Sequence, residues 1–283
     1  MPLSNPPPAD RPMLPRDALA GQVALVTGGG SGLGLAMAMA MARSGANIGI
    51  VGRSIEKLQR AVSQLEAAGA KVAIAAADVR DPQQVSAAFD TIEAALGPVS
   101  ILANNAGANF ALLAENTSVN AWRAVIQIAL DGTFLCSKEF HRRRRLAGLP
   151  GAIVNNGATY AYTGFPGDAH SCAAKAATLN LTQTLATEWA SDGIRVNCVV
   201  AGFYPHAGSP SYDPSNIDGI RGLWPPARRS GRGQEYGWTA AYLVSPYAAY
   251  VTGLNLIVDG GEWLRRGVLA DEFVPLRERE VIW

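Results

Sequence analysis

The run Thr27-Gly28-Gly29-Gly30-Ser31-Gly32-Leu33-Gly34 is the first stretch of the chain whose composition suits chemistry. Glycine tolerates positive φ and lets a phosphate come close to the backbone. Set between a strand and a helix, such a run also gains free N–H groups and the positive end of the helix dipole. The chemistry expected is pyrophosphate binding, held by Gly28, Gly30, Ser31, Gly32, Leu33 and Gly34, and the ligand class is a dinucleotide. The next apolar run ends in Val51-Gly52-Arg53-Ser54, with no acid. A carboxylate there would grip the ribose 2′-hydroxyl of NAD. Arg53 instead suits a 2′-phosphate, because guanidinium pairs with phosphate through two charge-assisted bonds. Ser54 adds a hydroxyl and can cap the following helix. The expected cofactor is NADPH/NADP+.

These residues need a scaffold, and the hydrophobic pattern supplies one. Apolar runs at 22–26, 47–51, 71–76, 99–102, 152–155, 194–199 and 254–258 read as strands. Helical stretches at 31–44, 54–68, 82–96, 117–130, 133–147, 168–190 and 233–244 alternate with them. In 54–68 the residues Leu58, Val62 and Leu65 fall on one face. Alternation at this spacing predicts a single doubly wound Rossmann α/β domain, with a seven-stranded parallel sheet and helices on both faces. The expected limits are a flexible Pro-rich arm over 1–18, the domain over 19–265 with a substrate lid at about 203–230, and an extension over 266–283.

The spacing Thr-Gly-x-x-x-Gly-x-Gly resembles the short-chain dehydrogenase/reductase family. The resemblance continues through Asp78, Asn104-Asn105-Ala106-Gly107, Lys175, Arg195-Val196-Asn197 and Val258-Asp259-Gly260-Gly261, and so covers 21–262. It implies that Asp78 bonds the adenine ring and that Asn104 braces the sheet. It also places Val79, Asn105, Ala106, Gly107, Lys175 and Gly202 on the cofactor, and it implies a homotetramer.

The catalytic stretch departs from the family's majority, which carries Tyr four residues before the Lys and Ser thirteen before that Tyr. Here those positions hold Ser171 and Ala158. A hydroxymethyl cannot replace a phenol as general acid, since its pKa is far too high. Tyr160 stands fifteen residues before Lys175. That arrangement, with Ala108-Asn109-Phe110, Asn120-Ala121-Trp122 and Glu188-Trp189, is similar to 2,4-dienoyl-CoA reductases. The segments around Gly164-Phe165-Pro166 and Ala169-His170-Ser171 also resemble peroxisomal trans-2-enoyl-CoA reductases. Both groups reduce a C=C bond conjugated to an acyl-CoA thioester. The resemblance implies that Tyr160 and Asn109 donate to the thioester oxygen, Lys175 holds the nicotinamide ribose, and Ser171 steadies that geometry. Two neutral donors suit an enolate oxygen. Alternatives stay open: Tyr162 as the active phenol, Asn109 as a loop cap, a carbonyl or alcohol oxidoreductase with a displaced Tyr, or a catalytically silent nucleotide-binding protein. Asp131 stands where the family usually has Asn, and a buried carboxylate there would perturb the proton network.

Composition narrows the partners. Of 283 residues, 24 are Lys or Arg and 23 are Asp or Glu, a net charge of +1. That balance offers no general attraction for nucleic acid or an anionic membrane. The apolar run 35–42 is far too short to span a bilayer. Three separated cysteines do not make a disulfide scaffold. Cys172 has no evident activating base, and His170 and His206 lack metal-ligand spacing, so no metal is expected. Six prolines in 1–16 read as an exposed arm without the apolar core of a secretory signal. Cytoplasmic residence is expected. The run His141-Arg142-Arg143-Arg144-Arg145 reads as a solvated helix end. Arg228, Arg229 and Arg232 are candidates to meet acidic groups of CoA.

Overall fold

A computed structural model describes residues 2–206, 216 and 225–265. Seven parallel strands form one sheet in the order β3-β2-β1-β4-β5-β6-β7. They are β1 Val23–Thr27, β2 Asn47–Gly52, β3 Val72–Ala76, β4 Ile101–Asn104, β5 Gly151–Ala158, β6 Ile194–Ala201 and β7 Asn255–Val258. The helices are α1 Gly32–Arg43, α2 Ile55–Ala67, α3 Pro82–Leu96, α4 Val119–Ile126, α5 Gly132–Ala147, α6 Ala169–Trp189 and α7 Gly233–Val244. Strand order reverses between β1 and β4, so a crevice opens there beyond the carboxyl ends of the strands.

Each face of the sheet carries its own core, as the two-residue period of a strand requires. Ala24 and Val26 of β1 pack with Met37, Met41, Leu58, Leu65 and Tyr236, under α1, α2 and α7. Val23 and Leu25 pack the other way, with Phe89, Ile92, Phe140 and Trp189 of α3, α5 and α6. In α2 the buried face is Leu58, Ala61 and Leu65, and Val62 is only half-buried. The cap expected at Ser54 is formed, and a second precedes α3. Ser54 Oγ accepts from the Lys57 N–H, and the Asp81 carboxylate accepts from the Gln83 and Gln84 N–H groups ahead of α3.

Several boundaries differ from the sequence expectation. The helices expected at 117–130 and 133–147 are continuous, because a π turn over Gln127–Asp131 joins α4 to α5 through Gly132 N–H to Gln127 O. β5 continues past the apolar run, since Asn156, Gly157 and Ala158 pair with Val199, Val200 and Ala201 of β6. β4 begins later than expected, where Ile101 pairs with Ala152 of β5.

The basic run of α5 is not a solvated end. Arg143 bonds Glu93, Asp90 and Glu139 at 2.6–2.7 Å, and His141 meets Asp192 at 2.7 Å while stacking on Trp189. Arg144 donates to the Pro150 carbonyl. Asp90 and Glu93 on α3 add to the counter-charge that Glu139 supplies within α5. Residues before β1 lie along 225–235: Leu3 N–H donates to Ala227 O, Arg229 to Ser4 O and Arg232 to Asn5 Oδ1. Arg229 also grips Glu235 at 2.8 and 2.9 Å. Most of the expected lid, and the whole of 266–283, lie outside the described residues.

α7 rests on α1 through Gly237, where a Cβ would overlap the Ala36 carbonyl. Gly237→Ala is expected to destabilise the fold by about 1–3 kcal/mol, since overpacking outweighs the gain in helix propensity. At Gly233 an added Cβ meets only ordinary contact, so Gly233→Ala serves as the control. Thermal denaturation of both checks this, and equal melting temperatures would contradict it.

Candidate active site

The crevice holds a cleft of about 820 Å³. The glycine run forms one end. Gly28 and Gly32 have φ of +66° and +55°, and a Cβ on Gly28 would stand 2.9 Å from Asn105 Nδ2. Gly28, Gly30, Ser31, Gly32 and Leu33 line the cleft, whereas Gly34 lies behind its wall, pressed against Gly28 and Asn105. Gly34 thus permits packing instead of lining the cleft. His206 covers Gly32, with ring atoms 3.3–3.4 Å from where a Cβ would be, and burial pushes its pKa down. A cradle this bare of side chains fits a pyrophosphate.

At the outer rim, Arg53 is exposed and makes no hydrogen bond or ion pair among the described residues. Ser54 Oγ contacts Glu56 Oε2 at 2.7 Å. Lys57 lines the same rim and was not anticipated. It sits one helical turn from Arg53, where α2 abuts Gly30. Asp78 and Val79 line the adjoining wall. Arg80 binds the Asp78 carboxylate at 2.5–3.0 Å and holds it below the usual carboxylate range. Asp131 is exposed and lines a separate surface hollow with Asp78, Arg80, Asp81 and Phe134. The buried carboxylate feared from the sequence is therefore absent from the cleft, because the π turn directs Asp131 outward.

Asn105, Ala106, Gly107, Asn109 and Gly202 line the middle of the cleft. Thr27 Oγ1 accepts from the N–H groups of Asn105 and Ala106, at 3.0 Å each. Asn109 is exposed, and its side chain bonds nothing among the described residues, so it caps no loop. Below, Asn104 Nδ2 donates to Ser137 Oγ at 2.8 Å and Asn155 Oδ1 at 2.9 Å, which ties β4 to β5 and α5.

The inner end brings Tyr160, Ser171 and Lys175 together. A 3-10 turn over Thr159–Ala161 carries Tyr160 off β5. Ser171 and Lys175 share one face of α6, a single turn apart. Tyr160 Oη and Ser171 Oγ are 2.9 Å apart. Burial pushes the phenol up to about 12, so it keeps its proton and can donate. Lys175 Nζ donates to the Asn156 carbonyl at 2.5 Å, and burial brings its pKa down to about 8. Tyr162 is exposed and packs on Trp263 with ring centroids 5.6 Å apart; it does not line the cleft. Phe110, Asn156, Glu262 and Trp263 line the cleft without having been named as site residues, and Phe203 and Tyr204 line it from the start of the expected lid. Glu262 and Trp263 follow directly on the Asp259-Gly260-Gly261 motif, which was the one available signal for them. Arg229 and Arg232 bind the N-terminal segment, and neither they nor Arg228 line the cleft.

A buried ammonium costs stability. Below pH 8 the native state keeps Lys175 charged in a poorly solvated place, while the unfolded chain holds it in water. Between pH 8 and the ordinary 10.5 the native form loses its proton first, so stability rises with pH across that window. Lys175→Met should therefore stabilise the ligand-free chain at pH 7 by on the order of 1–3 kcal/mol, and by less at pH 10. Thermal melts at both pH values check this; a lower melting temperature for the variant at pH 7 would contradict it.

Residues 28–262 match the family described as enoyl-(acyl carrier protein) reductase. A relative from Danio rerio, named peroxisomal 2,4-dienoyl-CoA reductase [(3E)-enoyl-CoA-producing], is 37% identical over 88% of this chain and 83% of its own. One from Bacillus subtilis, named "Probable 2,4-dienoyl-CoA reductase [(2E)-enoyl-CoA-producing]", is 36% identical over 86% of this chain and 97% of its own. A solved short chain dehydrogenase from Bacillus anthracis is 38% identical, with a TM-score of 0.79 over 87% of this chain and 98% of that one. With the glycine cradle, the Asn104-Asn105-Ala106-Gly107 segment and Lys175 in place around one cleft, the chain belongs to the short-chain dehydrogenase/reductase family and is an oxidoreductase of that family.

Proposed function

We propose that the protein is an NADPH-dependent reductase of a C=C bond conjugated to an acyl-CoA thioester, a 2,4-dienoyl-CoA or trans-2-enoyl-CoA. One observation carries the reading. A neutral, half-buried phenol, Tyr160, is tethered to Ser171 beside Lys175, while the helix position four residues before that lysine holds no phenol. The names of the relatives support the substrate class. Because those names differ in the product double bond, product analysis must decide its position.

The bound nicotinamide would supply hydride. The chain's residues do the rest. Gly28, Gly30, Ser31, Gly32 and Leu33 receive the pyrophosphate, and Gly34 keeps the turn tight. Arg53, with Ser54 and Lys57, meets the 2′-phosphate. Asp78 and Val79 flank the adenine, and Asn105, Ala106, Gly107 and Gly202 form the floor. Lys175 holds the nicotinamide ribose. Tyr160 O–H and the Asn109 amide donate to the thioester oxygen, where negative charge collects as the enolate develops. Ser171 fixes the phenol's direction. Water protonates the enolate carbon.

A homotetramer belongs to the same reading and rests on family resemblance; sedimentation measures it. Cytoplasmic residence is likewise proposed, and imaging of the tagged protein separates it from the peroxisome named for the zebrafish relative.

NADPH oxidation over a panel of acyl-CoA thioesters and ketones tests the function. Turnover with dienoyl- or enoyl-CoA and none with ketones is expected. The converse would favour a carbonyl oxidoreductase, and cofactor binding without turnover a silent nucleotide-binding protein. Tyr160→Phe should lower kcat about 10²- to 10³-fold, as for loss of one oxyanion donor, with NADPH affinity nearly intact. Arg53→Ala should raise the NADPH KM about tenfold and leave that for NADH almost unmoved.

A further inference from the structure

Two polar residues deep in the α7 face of the sheet have no role in the chemistry above. Tyr236 of α7 is fully buried among Met37, Met41 and Ala240 of the apolar core, with its ring edge-on to Tyr204 at 5.5 Å. Its hydroxyl reaches Asn156 Oδ1 at 2.9 Å, and Val199 O is the second acceptor at 3.2 Å. Asn156 lies in β5 just past its apolar run. Both ends of its amide are used: Nδ2 donates to Asn105 Oδ1 at 3.0 Å. Asn105 Nδ2 in turn donates to the carbonyls of Thr27 at 3.1 Å and Gly28 at 3.4 Å, where the glycine run starts. Asn156 also offers its backbone carbonyl to Lys175.

The bonds therefore form one line from α7 to the phosphate cradle, with a branch to the ammonium. Each buried polar group here is costly unless satisfied, and each satisfies the next. A phenylalanine at 236 and a valine at 156 would fill nearly the same space with no such obligation. Tyr236 stands outside the cleft, and Asn156, which lines it, takes no step in the chemistry.

We propose that Tyr236 and Asn156 are positioning residues that set the cofactor site, by locking the Asn105 amide that holds the first turn of the glycine run in register with Lys175. This rests on the reading of the cleft as a nicotinamide dinucleotide site. With Tyr236 present, the Asn156 amide has one favourable orientation. Without it, Asn156 Oδ1 loses its donor, the amide is held at one end only, and the glycine turn and the ammonium are less firmly referenced to one another. The line then acts on cofactor affinity from the wall of the cleft and from α7 behind it.

The test is NADP+ binding by titration calorimetry to the full chain, for wild type, Tyr236→Phe, Asn156→Val and the double variant. Valine suits a strand, so Asn156→Val is expected to fold if Tyr236→Phe does not. Each single variant should weaken binding about three- to tenfold, the scale of one lost buried hydrogen bond. The double variant should cost little more than one single, because the two residues act through one line. In turnover assays the loss should fall mainly on the cofactor's KM, with kcat less affected. Gly237→Ala, which destabilises the same helix off this line, should lower the melting temperature without that loss of affinity. If wild type binds NADP+ and both single variants bind within twofold of it, the proposal falls alone. Affinity that merely tracks melting temperature across all variants, Gly237→Ala included, also overturns it. If wild type binds neither NADP+ nor NAD+, the cofactor reading falls and takes the proposal with it.

Discussion

The hydrogen bond between Tyr160 and Ser171 constrains everything around it. To make it, β5 must run three residues beyond its apolar stretch, and α6 must start early enough to place Ser171 opposite the strand's end. Gly157 is what lets β5 continue, because a Cβ there would stand 2.8 Å from Cys198 Sγ and 3.0 Å from Leu179. One turn further along α6, Lys175 is forced into the same poorly solvated region. The phenol and the ammonium thus inherit opposite consequences from one burial. Tyr160 is held protonated, and Lys175 is brought toward losing its proton near neutrality. A site made this way offers neutral donors to an oxygen that gathers charge. It does not offer a pair of acids.

The sheet's two-residue period sorts the asparagines into two systems. Asn104 and Asn155 face α5 and α6, where Ser137 accepts from one amide and Thr182 from the other. Asn105 and Asn156, one residue on, serve the opposite side, toward the glycine run and α7. Adjacent positions in two neighbouring strands thereby brace the centre of the sheet and shape the cofactor cleft. An apolar residue at either site would leave an amide partner buried and unsatisfied.

Much of this was legible in the residues. The glycine run is visible because its spacing and its place between strand and helix are local properties. Pro82 behind Asp81 marks the start of α3, and the apolar period of 233–244 marks α7, so both elements have the expected bounds. Tyr160 was legible only as a number of residues before Lys175; its burial and its tie to Ser171 are tertiary facts. The departures share a cause. The π turn at Gln127–Asp131 depends on a wide hydrogen bond that no residue pattern announces, and it decides where Asp131 points. Arg143, Arg229 and Arg232 looked like free cations because partners such as Asp90 and Glu93 of α3, Ser4 and Asn5 lie far away along the chain. Asn156 fell outside the strand expected at 152–155 because its partners are 51 and 80 residues away.

The central claim is that the reacting oxygen is met by the phenol at the end of β5. A crystal structure of the chain with NADP+ and a 2,4-dienoyl-CoA measures this directly. The account predicts Tyr160 Oη about 2.5–3.0 Å from the thioester oxygen, with the Asn109 amide as the second donor. A thioester oxygen bound elsewhere, with the Tyr160 ring turned away from it, would contradict the account.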